Sequence, residues 1–130
     1  MKEWAVFPIR LGLGTIFILH GLQKAFGMFD GPGIAGFTKM LTDLGFPMAG
    51  PLAFVVAYVE FIGGIFLILG LFTRLSALLL TGVMLIAMAK VHLIHGFFLA
   101  DGGYEYVLVI LMSLFTLLLF GGGNLSMDQK

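Results

Sequence analysis

Glu60 is the only charged residue between Leu52 and Phe72, and its sequence neighbours include Val55, Val56, Phe61, Ile62 and Ile65. A carboxylate in such a run needs a partner, because an unpaired charge in an apolar medium costs at least a few kcal/mol. Other ionisable residues fall at helical spacing in other apolar runs. Arg10, Gly14, Phe17, Gly21 and Lys24 recur at intervals of 4, 3, 4 and 3 and make one stripe, with His20 about 80° off Arg10 on its flank. Arg74, Thr81, Met88, His92 and His95 make another. Glu105, Met112 and Thr116 share a face, with the carboxylate in a first turn, where it complements the helix dipole. Lys90 lies about 180° from Thr81 and reads as a lipid-side or interfacial lysine that snorkels.

If successive spans run antiparallel, His20, Lys24, His92, His95 and Glu105 fall in the half of the molecule away from the termini. Glu60 falls near mid-depth, about 15 Å from the GLFTR turn, and Arg10 lies about 6 Å below it, toward the termini. Glu60 is therefore expected between Arg10 and a histidine, His20 or His92. One outcome is a buried Arg10–Glu60 pair that only fixes helix register. The other is a polar cavity in an apolar bundle, which binds a cofactor or passes protons. In that case Glu60, His20 and His92 exchange protons, and Arg10, Lys24, His95 and Glu105 hold the ligand. A neutral quinone suits the setting: it is lipid-soluble, fills an apolar slot and needs hydrogen bonds and protons at its oxygens. A haem between His20 and His92 has no other support in the sequence, and zinc on His92, His95 and a carboxylate is weakly encoded, so neither haem nor metal is expected.

The elements that must position these groups are apolar. Of 130 residues, 60% are hydrophobic and 11% charged, whereas a soluble domain carries about a quarter charged. Four segments, about 5–26, 51–72, 74–97 and 104–121, are long enough to cross a hydrocarbon core, which takes about 20 residues. Each must be helical there. Lys2 gives the first run a basic start, but Arg10 sits inside it and no small-x-small site closes it, so it reads as a retained helix. The short GLFTR turn makes the second and third spans an antiparallel pair, with Gly70 and Thr73 as cap residues. Gly63, Gly64, Thr73 and Arg74 are assigned structural roles. Between the first two spans, Ile34, Phe37, Leu41 and Leu44 recur on one side, with Thr38, Lys39, Thr42 and Asp43 on the other. This predicts a short amphipathic helix at the membrane surface, ended by Gly45 and Pro47; the alternative is a loop packed over the bundle mouth. The expected architecture is one all-α domain over residues 1–130: an integral membrane four-helix bundle with a surface helix between its first two spans.

Lys2, Arg10, Arg74 and Lys130 lie toward the termini and Lys24, Lys39 and Lys90 on the other side, which by the positive-inside rule places both termini in the cytoplasm. Seven basic and seven acidic residues balance, so nucleic acid is not an expected partner. With no cysteine, thiol–disulfide and iron–sulfur chemistry are excluded.

Four stretches, in order, carry a family resemblance: RLGLGTIFILHGLQKAFG, GPGIAGFTKMLTDLGFP, VEFIGGIFLILGLFTRLSALLL and GGYEYVLVILMSLFTLLLFGGGNLSMD. The pattern E-x-x-G-G followed by L-G-x-x-T-R is the most specific. The chain resembles the DoxX family of small bacterial membrane proteins along nearly its whole length. The resemblance implies a four-helix bundle in the bacterial inner membrane, and a subunit of a quinone-linked oxidoreductase (thiosulfate:quinone systems among them) or of an oxidative-stress complex. Arg10, Lys24, Glu60, Arg74 and Glu105 look like the family's polar positions; the histidines look less general. Relatives in the wider group use paired cysteines, a mechanism that does not carry over here. Two readings follow: a redox subunit holding a quinone near Glu60, served by a soluble redox partner, or a non-catalytic membrane anchor or assembly subunit, alone or as a homo-oligomer. A proton or solute conduit is disfavoured, since no helices are broken at corresponding positions.

Overall fold

Apolar runs of bilayer length leave backbone N–H and C=O groups only each other to bond, and the chain answers with helices. The computed structural model describes residues 2–128; Lys130, counted above on the termini side, lies outside them. The described residues are all-α, with α1 Val6–Phe26, α2 Gly33–Asp43, α3 Ala49–Leu69, α4 Thr73–Ala87 and α5 Glu105–Phe120. Among the described residues, three helical stretches are long and apolar enough to cross a membrane: the one ending in α1, α3, and the run Thr73–His95 that begins with α4. The fourth expected span is shorter than predicted: the 16 residues of α5 reach about 24 Å, against a hydrocarbon core of about 30 Å. Leu19, Val55, Ile62, Leu78, Leu85 and Phe115 stand uncovered on the outside, as side chains do where the solvent is lipid rather than water.

α1 and α3 form the most extensive contact, and glycines set how closely they approach. A Cβ on Gly64 would lie 2.7 Å from Ile18 N and 2.8 Å from Gly14 O, and one on Gly21 would lie 2.5 Å from Phe61 N. Side chains would force the helices apart there. One core cluster joins Leu13 and Phe17 of α1, Leu67 of α3, Leu80 and Met84 of α4, and Ile110 and Leu114 of α5. The predicted amphipathic segment is α2, whose Phe37 and Leu41 are buried with Ala53 of α3.

Boundaries also differ from expectation at the start of α4 and in the course of the third run. Gly70 closes α3 as predicted, in the left-handed conformation, with Leu71 N bonded to Phe66 O. Thr73 does not cap α4; it is the first helical residue. The α4 N-terminus is capped instead by Asp128 from the far end of the chain, whose carboxylate accepts from Phe72 N (2.7 Å) and Thr73 N (2.9 Å). The third run also stops being α-helical at Ala87. It continues as a π-helical turn, Met88–His92, and a 3-10 turn, Leu93–His95, and ends at Gly96, whose φ of +79° suits glycine.

Candidate functional site

The α1–α3 register decides the partner of Glu60. With Gly21 against Phe61 in an antiparallel pair, Lys24 stands about two residues, some 3 Å, beyond the level of Glu60. Its Nζ donates to both carboxylate oxygens, at 2.8 and 2.7 Å. Glu60 is 3% exposed and Lys24 23%. The Lys24 ammonium also lies 5.0 Å from the centre of the Phe37 ring of α2, a cation–π contact that ties α2 to the pair.

The expected Arg10–Glu60 pair is not formed. Arg10 is fully buried, and its guanidinium donates to five carbonyls. Nε reaches Leu67 O (2.9 Å) and Nη2 Ile68 O (2.9 Å) at the end of α3. Nη1 reaches Gly122 O (2.8 Å) and Asn124 O (3.0 Å), and Nη2 also reaches Leu125 O (2.8 Å), in the C-terminal segment. The last carbonyls of a helix have no partner within it and form the negative end of its dipole. Arg10 satisfies them and folds the tail across them. Leu67 is seven residues past Glu60, about 10 Å along α3, so the arginine works at the other end of the helix. Arg74 does the same for α5, donating to Leu118 O and Leu119 O, both at 3.1 Å.

Beside the Lys24–Glu60 pair lies a largely apolar cavity of about 260 Å³. His20, Lys24, Glu60, Lys90 and His92 line it, together with apolar residues such as Phe17, Phe37, Val56 and Met84. Side chains of α2 and its following loop, including Leu41 and Phe46, form part of the wall. His92 Nδ1 is 3.1 Å from Gly102 O. A carbonyl only accepts, so Nδ1 carries the proton in this contact, and a neutral His92 offers Nε2 as an acceptor. Of the residues predicted to surround a ligand, Arg10, His95 and Glu105 stay outside the cavity. His95 is exposed beside Gly102. Glu105 Oε1 accepts from Leu99 N (2.7 Å) and pins the turn before α5. Gly63 faces Leu80 and Gly64 faces α1. Among the described residues no group of three or more His, Asp or Glu side chains is placed to hold a metal ion.

Lys90, expected as a lipid-side or interfacial lysine, is exposed at the edge of the cavity, with Nζ 5.9 Å from the centre of the Phe46 ring. The cavity face of α4 is marked by Val83, Met84 and Ala87, and Lys90 follows Val83 by seven residues, two turns later on that face. Thr81 pointed to the wrong stripe because its hydroxyl needs no polar neighbour: it donates to Ala77 O within its own helix, at 2.6 Å.

The model of the DoxX family matches residues 5–93. The chain belongs to the DoxX family. The histidines, lysines and glutamate of the cavity lie in the matched stretch, whereas Tyr106, also in its wall, and His95 and Glu105 lie beyond it. The chain is similar to a Bacillus subtilis protein named "Putative oxidoreductase CatD", at 31% identity over 97% of this chain and 86% of that one. It is also similar to a Haemophilus influenzae protein of no stated function, at 32% identity over 94% of this chain and 87% of the relative. No solved structure matches this DoxX-family chain.

Proposed function

We propose that this DoxX-family chain is the membrane subunit of a quinone-linked oxidoreductase or oxidative-stress complex, and that its cavity holds the quinone. The observation that carries this reading is the Lys24–Glu60 ion pair on the wall of an otherwise apolar cavity of about 260 Å³. The printed name of the Bacillus subtilis relative supports the redox half. The residues fit such a ligand. Apolar walls accept a ring and the start of a tail, Lys24 and His20 are donors to a ring oxygen, and Glu60 and His92 accept protons. A bound quinone supplies the two-electron chemistry. The chain's own residues orient the ring oxygens, exclude water and hold an exchangeable proton between Lys24 and Glu60. The chain has no cysteine to relay electrons, so a soluble redox partner delivers them. In this reading α5 completes a four-helix bundle with α1, α3 and α4 in the bacterial inner membrane, α2 lies at the surface over the cavity, and both termini are cytoplasmic. A reporter fused after Lys130 that reads out as periplasmic overturns the orientation.

The test is titration of the purified protein with a short-chain quinone analogue, wild type against Glu60→Gln and His20→Ala. Saturable binding by wild type is expected, with Glu60→Gln within about tenfold, or about 1.4 kcal/mol, while turnover with the electron-donating partner is lost. No saturable binding by wild type removes the redox reading and leaves a membrane anchor or assembly subunit.

A further inference from the structure

The cavity is not electrically balanced. Two ammonium groups, Lys24 and Lys90, line it against one carboxylate, Glu60. Glu60 is committed to Lys24 by both oxygens. Lys90 has a cation–π contact with Phe46 and, among the described residues, no hydrogen bond or ion pair. With neutral histidines the lining therefore carries one surplus positive charge. Lys90 also sits within the π-helical turn Met88–His92, a distortion that is rare and is often found at functional sites. Lys90 is exposed at the edge of the cavity, where the apolar wall offers an entering anionic oxygen few other donors, so its ammonium favours an anionic over a neutral ligand even though solvent screens part of the attraction.

We propose that Lys90 is the specificity-determining residue of the cavity, and that it selects a ring ligand carrying one negative charge. The apolar body of the ligand fills the cavity, and its anionic oxygen pairs with the Lys90 ammonium. Quinones bearing an ionised ring hydroxyl are the class that combines these features. This inference rests on the quinone reading for the ring and on Lys90 alone for the charge.

The experiment uses the full chain in detergent and two probes of nearly the same shape: naphthoquinone, and hydroxynaphthoquinone, whose acidic hydroxyl is ionised at neutral pH. Wild type should bind the anionic probe at least about tenfold more tightly than the neutral one. Lys90→Gln should bind the neutral probe as wild type does and lose the preference, and Lys90→Arg should keep it. Equal binding of both probes by wild type, or a preference that survives in Lys90→Gln, overturns the role of Lys90 and leaves the quinone reading standing. Loss of both probes in Lys90→Gln also overturns it, since the lysine then shapes the cavity rather than selecting charge. Binding of neither probe by wild type removes the quinone reading and this inference together.

Discussion

Replacing Lys24 with Met, Glu60 with Gln, and then both, measures what the intramembrane ion pair contributes to joining α1 and α3. Lys24 Nζ lies 2.8 and 2.7 Å from the two carboxylate oxygens. Unit charges 4 Å apart attract by about 4 kcal/mol at an effective dielectric constant near 20. The Lys24 side chain is 23% exposed, which screens part of this, so a coupling energy of about 2 kcal/mol is expected. Lys24→Met strands a carboxylate that is 3% exposed, a change that costs about 3–5 kcal/mol in buried pairs. The double variant should recover the coupling energy. The assay is reversible denaturant unfolding in detergent, analysed as a double-mutant cycle. A second cycle on Arg10 and Glu60 serves as control. The contacts of Arg10 with α3 begin seven residues past Glu60, about 10 Å along the axis, so this cycle should be additive within about 0.5 kcal/mol. Additive losses for Lys24 and Glu60, or coupling above about 1 kcal/mol between Arg10 and Glu60, would refute the reasoning.

Arg10→Lys leaves at most three donors for five carbonyls. At about 1.5–3 kcal/mol per bond to a charged group, stability should fall by roughly 3 kcal/mol or more. Amides of residues 121–128 should exchange faster, and unchanged protection would contradict the tail-locking role. Gly21→Ala places a Cβ 2.5 Å from Phe61 N and should destabilise by about 1–3 kcal/mol. Gly12→Ala, with nothing within 4 Å, is the control, and equal thermal shifts in the two variants would remove the close-approach argument. For Asp128, burial raises the carboxyl pKa, but hydrogen bonds from Thr73 and Phe72 and the nearby Arg10 outweigh it and hold the pKa below its ordinary value of 3.8. A depressed folded pKa gives stability that is present above the unfolded value and lost as pH falls through the folded one. Wild type should therefore weaken as pH drops below about 4, and Asp128→Asn should respond less over that window; parallel acid-unfolding curves for the two would count against the cap.

The helices were legible because each is encoded by its own residues. The period of Ile34, Phe37 and Leu41 was enough to place α2, and the length of the apolar runs was enough to place α1 and α3. Gly70 as the end of α3 was legible from its freedom at positive φ. That Glu60 needs a partner was legible too, since no carboxylate remains charged and alone among valines and phenylalanines. Which partner it takes was not. Periodicity gives the angle of a residue about its own helix axis and its approximate depth, but not how far one helix slides along another. That slide is set where Gly14, Gly21 and Gly64 let α1 and α3 touch, and it brings Lys24 rather than Arg10 to Glu60. The carbonyls that claim Arg10 became neighbours only when the tail folded back over the end of α3, more than a hundred residues away in sequence from Arg10. That exposed Lys90 stands at the edge of the cavity was not legible for a related reason: the face a helix presents is chosen by the cavity it packs around, and that cavity is built jointly by five helices. Local sequence determined the helices; contacts between distant segments decided which of their polar residues share the site.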